Sequence, residues 1–384
     1  MNLPSRRRHP RAARRRPAPP AALFAVLALL LAACGGDGGQ LPGGEQSAGP
    51  GGATDAETGE VAETGDAEEP DATAPAVTSD LVVVATTSIL GDIVTNLVGQ
   101  DGTVEVLMPP GVDPHGFQPS AADAALLRQA DLVVANGLQL EESLVDALAV
   151  AAEEGVRVFE LADHLDPIAF GETDHDDHAH QDDHAHDDDH AHEDDDHGHD
   201  HGPEDPHVWF DPVRMADGVR LLAAELAEVD DHLDTAAWEQ RGDDYATQVL
   251  AVHDELEEAF AAIPAEDRQL VTNHDSLGYL ADRYDFEVIG TVLPGSSTMA
   301  EADARAFAAL VATIEEADVP AIFTENIDSA TLAEQLATEV GGRSDREVEV
   351  VALYTDALGD PGSGAEDYLG LLRENARRIT DALT

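Results

Sequence analysis

A chain of 384 residues, 43% of them apolar, is long enough to bury one large or two medium cores, which excludes a small disulfide-stapled fold or a wholly disordered protein. Its 79 acidic residues face only 20 basic ones, all arginine; the formal net charge of −59 repels nucleic acid and attracts cations. The single cysteine, Cys34, rules out an intrachain disulfide framework.

Arginines at 6, 7, 8, 11, 14, 15 and 16 precede the apolar run AALFAVLALLLAA at 21–33, too short for a stable membrane anchor and the right length for a secretory signal. The run ends in LAAC followed by GG, which resembles a bacterial lipoprotein signal. Cys34 then becomes the lipidated first residue of the mature chain, anchored at the cell membrane and working outside the cytoplasm. Removing residues 1–33 takes seven arginines and no acid, moving the formal charge to −66. Residues 34–79, rich in Gly, Ala, Glu, Asp, Pro and Thr without an apolar period, read as a disordered tether.

From residue 80 the pattern becomes regular. DLVVVAT (80–86) is a short buried-strand run, and SILGDIVTNLVG (88–99) puts Ile89, Ile93, Val94 and Leu97 on one helical face. TVEVLM (103–108), DLVVAN (131–136) and VRVFE (156–160) read as strands, with helices at 120–130 and 141–154 between them. After an insertion, DPVRMADGVRLLAAELAEVD (211–230) is amphipathic, and a long helical region runs from Thr235 to Ala262, stopped by Pro264. Strands then recur at 268–273, 286–292, 319–325 and 346–355, alternating with helices at 275–284, 301–317 and 329–340, with a terminal helix from 365. This alternation predicts an α/β fold of two lobes, each a parallel sheet flanked by helices, joined by one long helix. The divisions are 80–230 for the first lobe, 231–264 for the linking helix and 265–384 for the second lobe.

The insertion, 172–204, holds ten histidines between 175 and 201, and DDHAH repeats at 176, 182 and 188. The pairs His178/His180, His184/His186 and His190/His192 place two rings on one side of an extended chain, as shallow chelates whose geometry no core fixes. They read as weak, exchangeable accessory metal sites, against the plainer alternative of a solvating insertion. Elsewhere His164, His232 and His253 sit among acids and read as solvated side chains. His115 and His274 instead follow strands, where loops of an open α/β sheet converge on ligands. His207 lies in EDPHVWFDP, and Asp356 follows the last strand. Three neutral imidazoles with one carboxylate suit tetrahedral Zn²⁺ better than hard cations, which prefer oxygen.

The segments PPGVDPHGFQPS, ADLVVANGLQLE, DPHVWFDP, TNHDSLGY, FTENIDSATLAEQLATEVG and LYTDALG occur in that order. On these the chain, from about residue 80 to 384, resembles the metal-specific solute-binding proteins of ATP-binding-cassette importers, the zinc and manganese receptors. The resemblance implies a single metal held between two lobes by His115, His207, His274 and Asp356, a rigid linking helix, and a zinc-type histidine-rich loop. A carboxylate at the third position goes with manganese in that family, so His274 favours zinc over manganese or another divalent ion. Glu325 or a water is the alternative fourth donor, Glu325 otherwise serving as a hydrogen-bond partner between the lobes. The implied protein is a monomeric receptor that carries Zn²⁺ as cargo to a membrane permease and binds no nucleic acid. Two readings of other classes stand beside it: a zinc hydrolase with Asp275 or Glu325 as base, and a zinc buffer centred on the histidine tract. No HExxH motif supports the first, and no Walker-type glycine loop is present.

Overall fold

Short runs of four or five residues, most of them carrying valine, form two parallel sheets. A computed structural model describes residues 80–170, 204–295, 297–300, 304–327, 330–344 and 346–384. The signal segment, Cys34, the tether and the tract carrying His178, His180, His184, His186, His190 and His192 lie outside the described residues. The first sheet contains β1 (Val82–Ala85), β2 (Thr103–Val106), β3 (Leu132–Ala135) and β4 (Arg157–Glu160) in the order β2-β1-β3-β4. The second repeats that order with β5 (Gln269–Thr272), β6 (Glu287–Thr291), β7 (Ala321–Glu325) and β8 (Glu349–Leu353), as β6-β5-β7-β8. β3 and β7 are buried along their whole length while the edge strand β2 is largely exposed, as expected when helices cover both faces. The strand order reverses between β1 and β3, and again between β5 and β7, so each sheet opens a crevice at its carboxyl edge.

Nine α-helices are described: α1 (Ser88–Val98), α2 (Ala121–Leu127), α3 (Val145–Glu153), α4 (Pro212–Val229), α5 (Thr235–Phe260), α6 (Gly278–Tyr284), α7 (Ala304–Ala317), α8 (Thr331–Ser344) and α9 (Tyr368–Leu383). The apolar face expected for α1 is buried, and Thr87 caps the helix by accepting from the Leu90 N–H at 3.2 Å. Several expected helices are shorter than their apolar pattern, α2 covering only Ala121–Leu127 of 120–130. Residues 142–144 form a 3₁₀ turn before α3, and α6 starts only at Gly278 because Asp275 and Ser276 donate instead to Gly295 and His274 carbonyls. Among the described residues no helix is long and apolar enough to cross a membrane.

The long helix α5 buries Trp238, Tyr245, Val249, Val252, Leu256 and Phe260 on one stripe. α4 packs along it, so closely that a Cβ on Gly242 would come within 2.7 Å of the Ala223 methyl group. α9, late in the chain, returns to this spine. Asp92 of α1 accepts from the Tyr368 N–H of α9 at 3.0 Å and from the Tyr245 hydroxyl of α5 at 3.3 Å. One continuous apolar cluster therefore runs from Val83 and Ile93 in the first lobe through α5 to Leu270, Phe323 and Leu371. A spine packed into both lobes leaves little room for a wide hinge.

Asp211 adds a polar tie. It is fully buried, caps α4 through the Val213 and Arg214 N–H groups, and accepts from Arg283 of α6 at 3.0 and 2.6 Å. Burial works against its charge, but the hydrogen bonds and charges of Arg283 and Arg214 hold its carboxyl below the ordinary value of 3.8. A depressed folded-state value stabilises the fold above that ordinary value and ceases to do so as pH falls through it. Asp211→Asn should therefore cost about 2 kcal/mol at pH 7 in thermal unfolding, with the deficit shrinking as the pH is taken below 3.8. An equal deficit at pH 3 and pH 7 would show that the charge is not what stabilises.

Candidate metal centre

Loops after three strands and the loop before α4 bring four polar side chains together. His115 lies in the loop after β2, His207 in the loop leading to α4, His274 just after β5 and Asp356 just after β8. Their exposures are 2%, 0%, 0% and 1%, and one donor atom from each lies within 4.8 Å of the others. His207 Nε2 and His274 Nε2 are 3.2 Å apart, and Asp356 offers Oδ1 at 3.6 Å and Oδ2 at 3.9 Å to these two nitrogens. The His115 ring centroid is 5.6 Å from that of His207 and 5.5 Å from that of His274. Donors about 2.0–2.1 Å from a tetrahedral zinc lie roughly 3.3 Å from one another, so the cluster has the dimensions of a single-ion cage.

Local sequence explains why each ring points inward. His115 and His207 end identical tripeptides, Asp113-Pro114-His115 and Asp205-Pro206-His207. In both, the aspartate Oδ1 accepts from the histidine backbone N–H at 2.9 Å, a side-chain turn that fixes the histidine's peptide. The His207 loop is clamped from both lobes. Asn136 Nδ2 donates to the Pro206 carbonyl at 2.9 Å, Tyr279 Oη to the Asp205 carbonyl at 2.8 Å, Trp209 Nε1 to the Thr355 carbonyl at 2.8 Å, and Tyr368 Oη to the Trp209 carbonyl at 2.7 Å. The His274 turn is closed by Thr272 Oγ1, which donates to its carbonyl at 2.7 Å.

A carboxylate stands beside Nδ1 of every ring. Asp205 Oδ1 is 2.6 Å from His207 Nδ1, Glu325 bonds His274 Nδ1, and Glu142 Oε1 is 3.7 Å from His115 Nδ1. For His207 and His274 this keeps a proton on Nδ1 and turns Nε2 toward Asp356. Burial holds His207 well below its ordinary value, against the pull of the Asp356 charge, so it is a neutral donor. Burial also disfavours charge on His274, but Glu325 and Asp356 outweigh it and raise the ring to about 9. Asp205 is pushed up to about 7 by burial, against the His207 N–H that it accepts. Protons on these groups offset the carboxylate charge, and a divalent cation must compete with them.

The structure brings together all four residues singled out in the sequence. Glu325 sits differently from either role considered for it. Its two oxygens engage His274 Nδ1 and Asn273 Nδ2, the latter at 3.2 Å, so it orients a ring of its own lobe rather than bridging the lobes or joining the donor atoms. Asp205 and Glu142 were missed, although an aspartate two residues before each of two histidines was a readable signal. His253 is a correction: its ring is only 16% exposed and hydrogen-bonds Tyr284 Oη at 3.0 Å, where a solvated side chain was expected. His164 is exposed but stacks on Phe159 with ring centroids 4.9 Å apart, and His232 is about half exposed, as expected.

Two α/β lobes on a packed helical spine enclose a buried cluster of three imidazoles and a carboxylate that could hold a metal ion. Residues 83–382 match the family described as ZnuA, zinc-uptake complex component A, periplasmic, and the chain belongs to that family. It is a metal-binding extracytoplasmic receptor of an ATP-binding-cassette importer, working with a membrane permease, and not an enzyme. It is 30% identical over 302 residues to the zinc-binding protein TroA of Treponema pallidum, covering 79% of this chain and 88% of that protein. The solved TroA structure aligns with a TM-score of 0.67 over 80% of this chain and all of its own. Bacillus subtilis contributes two further relatives. The manganese-binding lipoprotein MntA is 30% identical over 79% of this chain and 90% of its own, and the high-affinity zinc uptake protein ZnuA is 29% identical over 79% and 88%.

Removing the charge beside one ring tests the orienting carboxylates. Asp205→Asn and Glu325→Gln should each weaken divalent-metal binding by about 10–100-fold in chelator competition, with little change in metal-free melting temperature. Unchanged affinity would mean that packing alone sets the rings.

Proposed function

We propose that this chain is a zinc receptor, anchored through a lipid at Cys34, that captures Zn²⁺ with His115, His207, His274 and Asp356 and delivers it to the importer's permease. The observation that carries the reading is the donor set: three buried imidazoles and a single carboxylate, with donor atoms within 4.8 Å of one another. Nitrogen-rich, four-donor cages suit Zn²⁺, whereas Mn²⁺ favours oxygen donors and higher coordination. The relatives include both zinc and manganese binders, so the choice rests on this chemistry. Four protein donors leave no open position for a substrate or a reactive water, which fits carriage and release rather than hydrolysis. The mature chain is read as residues 34–384, with 34–79 as the tether, 80–230 and 265–384 as the lobes and 231–264 as their link. In this reading the paired histidines at 178/180, 184/186 and 190/192 gather zinc weakly, and the lobes hold it tightly. The receptor docks as a monomer.

Calorimetric titration with a competing chelator tests this on the mature domain lacking residues 175–201 and on its His115→Ala variant. One tight zinc equivalent should survive the deletion, exceed the Mn²⁺ affinity by roughly 100-fold or more, and weaken by more than about 100-fold in the variant. Tighter manganese binding would reassign the cargo. Loss of all tight binding with the tract would leave a buffer in place of a receptor.

A further inference from the structure

His115 is held differently from the other two rings. Asp205 grips His207 within one loop, and Glu325 is steadied by Asn273 of its own lobe. The two carboxylates beside His115, one bonding its peptide and one facing its ring, both reach across to the second lobe. Asp113 takes the His115 backbone N–H on Oδ1 at 2.9 Å and the Thr298 hydroxyl on Oδ2 at 2.7 Å. Glu142 presents one and the same Oε1 to the His115 ring at 3.7 Å and to the Ser297 hydroxyl at 2.9 Å. Ser297 is itself buried, and its Oγ accepts from the Met299 N–H at 3.2 Å, so the hydroxyl has a fixed donor direction. One carboxylate sets the backbone of His115 and the other faces its ring, and adjacent hydroxyls of a single loop after β6 engage both.

We propose that Ser297 and Thr298 are positioning residues for cargo: they seat His115 through Asp113 and Glu142, so that parting this one contact between lobes unseats His115 first and begins metal release. The inference rests on the receptor reading above. It supplies what a stiff spine requires, a local contact whose opening alters the donor set without hinging α5. His207, with its loop clamped from both lobes, and His274, held within its own, stay in place meanwhile.

The test uses the mature chain, with Zn²⁺ dissociation followed by stopped-flow chelator capture. Ser297→Ala/Thr298→Val should raise the dissociation rate by about tenfold or more while leaving the association rate within about threefold and metal-free melting unchanged. Ser297→Thr/Thr298→Ser, which keeps both hydroxyls, should restore the wild-type rate. Because the effect passes through His115, the Ala/Val pair should not weaken zinc affinity further in a His115→Ala background, the non-additivity of a double-mutant cycle. Equal losses in both backgrounds, or a wild-type rate for the Ala/Val pair, would overturn this inference alone. Absence of tight metal binding by the wild-type chain would overturn the receptor reading with it.

Discussion

The constraint on which the rest of the structure depends is the burial of four polar side chains whose donor atoms face one another. His115, His207, His274 and Asp356 are all at most 2% exposed, and each would be more stable in water. The pocket tolerates them because a surrounding layer of polar groups faces their outer atoms. Asp205 and Glu325 bond two rings, Asp113 holds the peptide of the third, and Thr355 donates to Asp356 at 3.1 Å. What that layer leaves over is an inward concentration of lone pairs and negative charge. A divalent cation resolves this better than protons do, so binding energy is built into the arrangement of the four side chains.

Holding such a site open requires a frame that cannot collapse onto it. Four of the strands that feed the cage or its supports, β2, β5, β7 and β8, deliver their carboxyl ends to it, and the helices α4, α5 and α9 lock the sheets into one apolar cluster. Rigidity follows from how closely these helices pack. Gly242 admits contact with Ala223 that any side chain would block, and Asp92 joins α1, α5 and α9 through Tyr245 and Tyr368. The Asp211–Arg283 pair does the same for α4 and α6, beside the loop that carries His207.

Much of this was legible in the sequence because strands buried on both faces read as short apolar runs, and VVVA, LVVA and the AIF of AIFTE did so. The cage residues were legible for a different reason. His115 and His274 follow strands, and the ordered motifs around all four carry the family resemblance. Periodicity could not reveal the supports. Glu142 lies in EESL, which reads as the start of a helix, yet residues 142–144 form a tighter turn that brings it beside His115. Glu325 closes a strand that pattern places correctly, but its partner His274 is 51 residues away, and only the β5–β7 pairing brings them together. His253 was misread because charged neighbours on a helix say nothing about Tyr284, which approaches from another element.

A closed cage on a stiff frame raises the question of exchange. Tight binding by four protein donors and rapid delivery conflict unless one donor is held more conditionally than the rest, since removing a single ligand opens a position for water or for an acceptor's donor. The geometry divides the rings in that way. His207 and His274 are steadied within loops that the spine and sheets fix, while both supports of His115 also engage the opposite lobe through Ser297 and Thr298. Affinity then belongs to all four donors, but the rate of release belongs to a contact at the rim of the lobes. A docking partner can pull on such a contact without deforming the core, because the hydroxyls of Ser297 and Thr298 meet Glu142 and Asp113 outside the apolar cluster that locks the lobes.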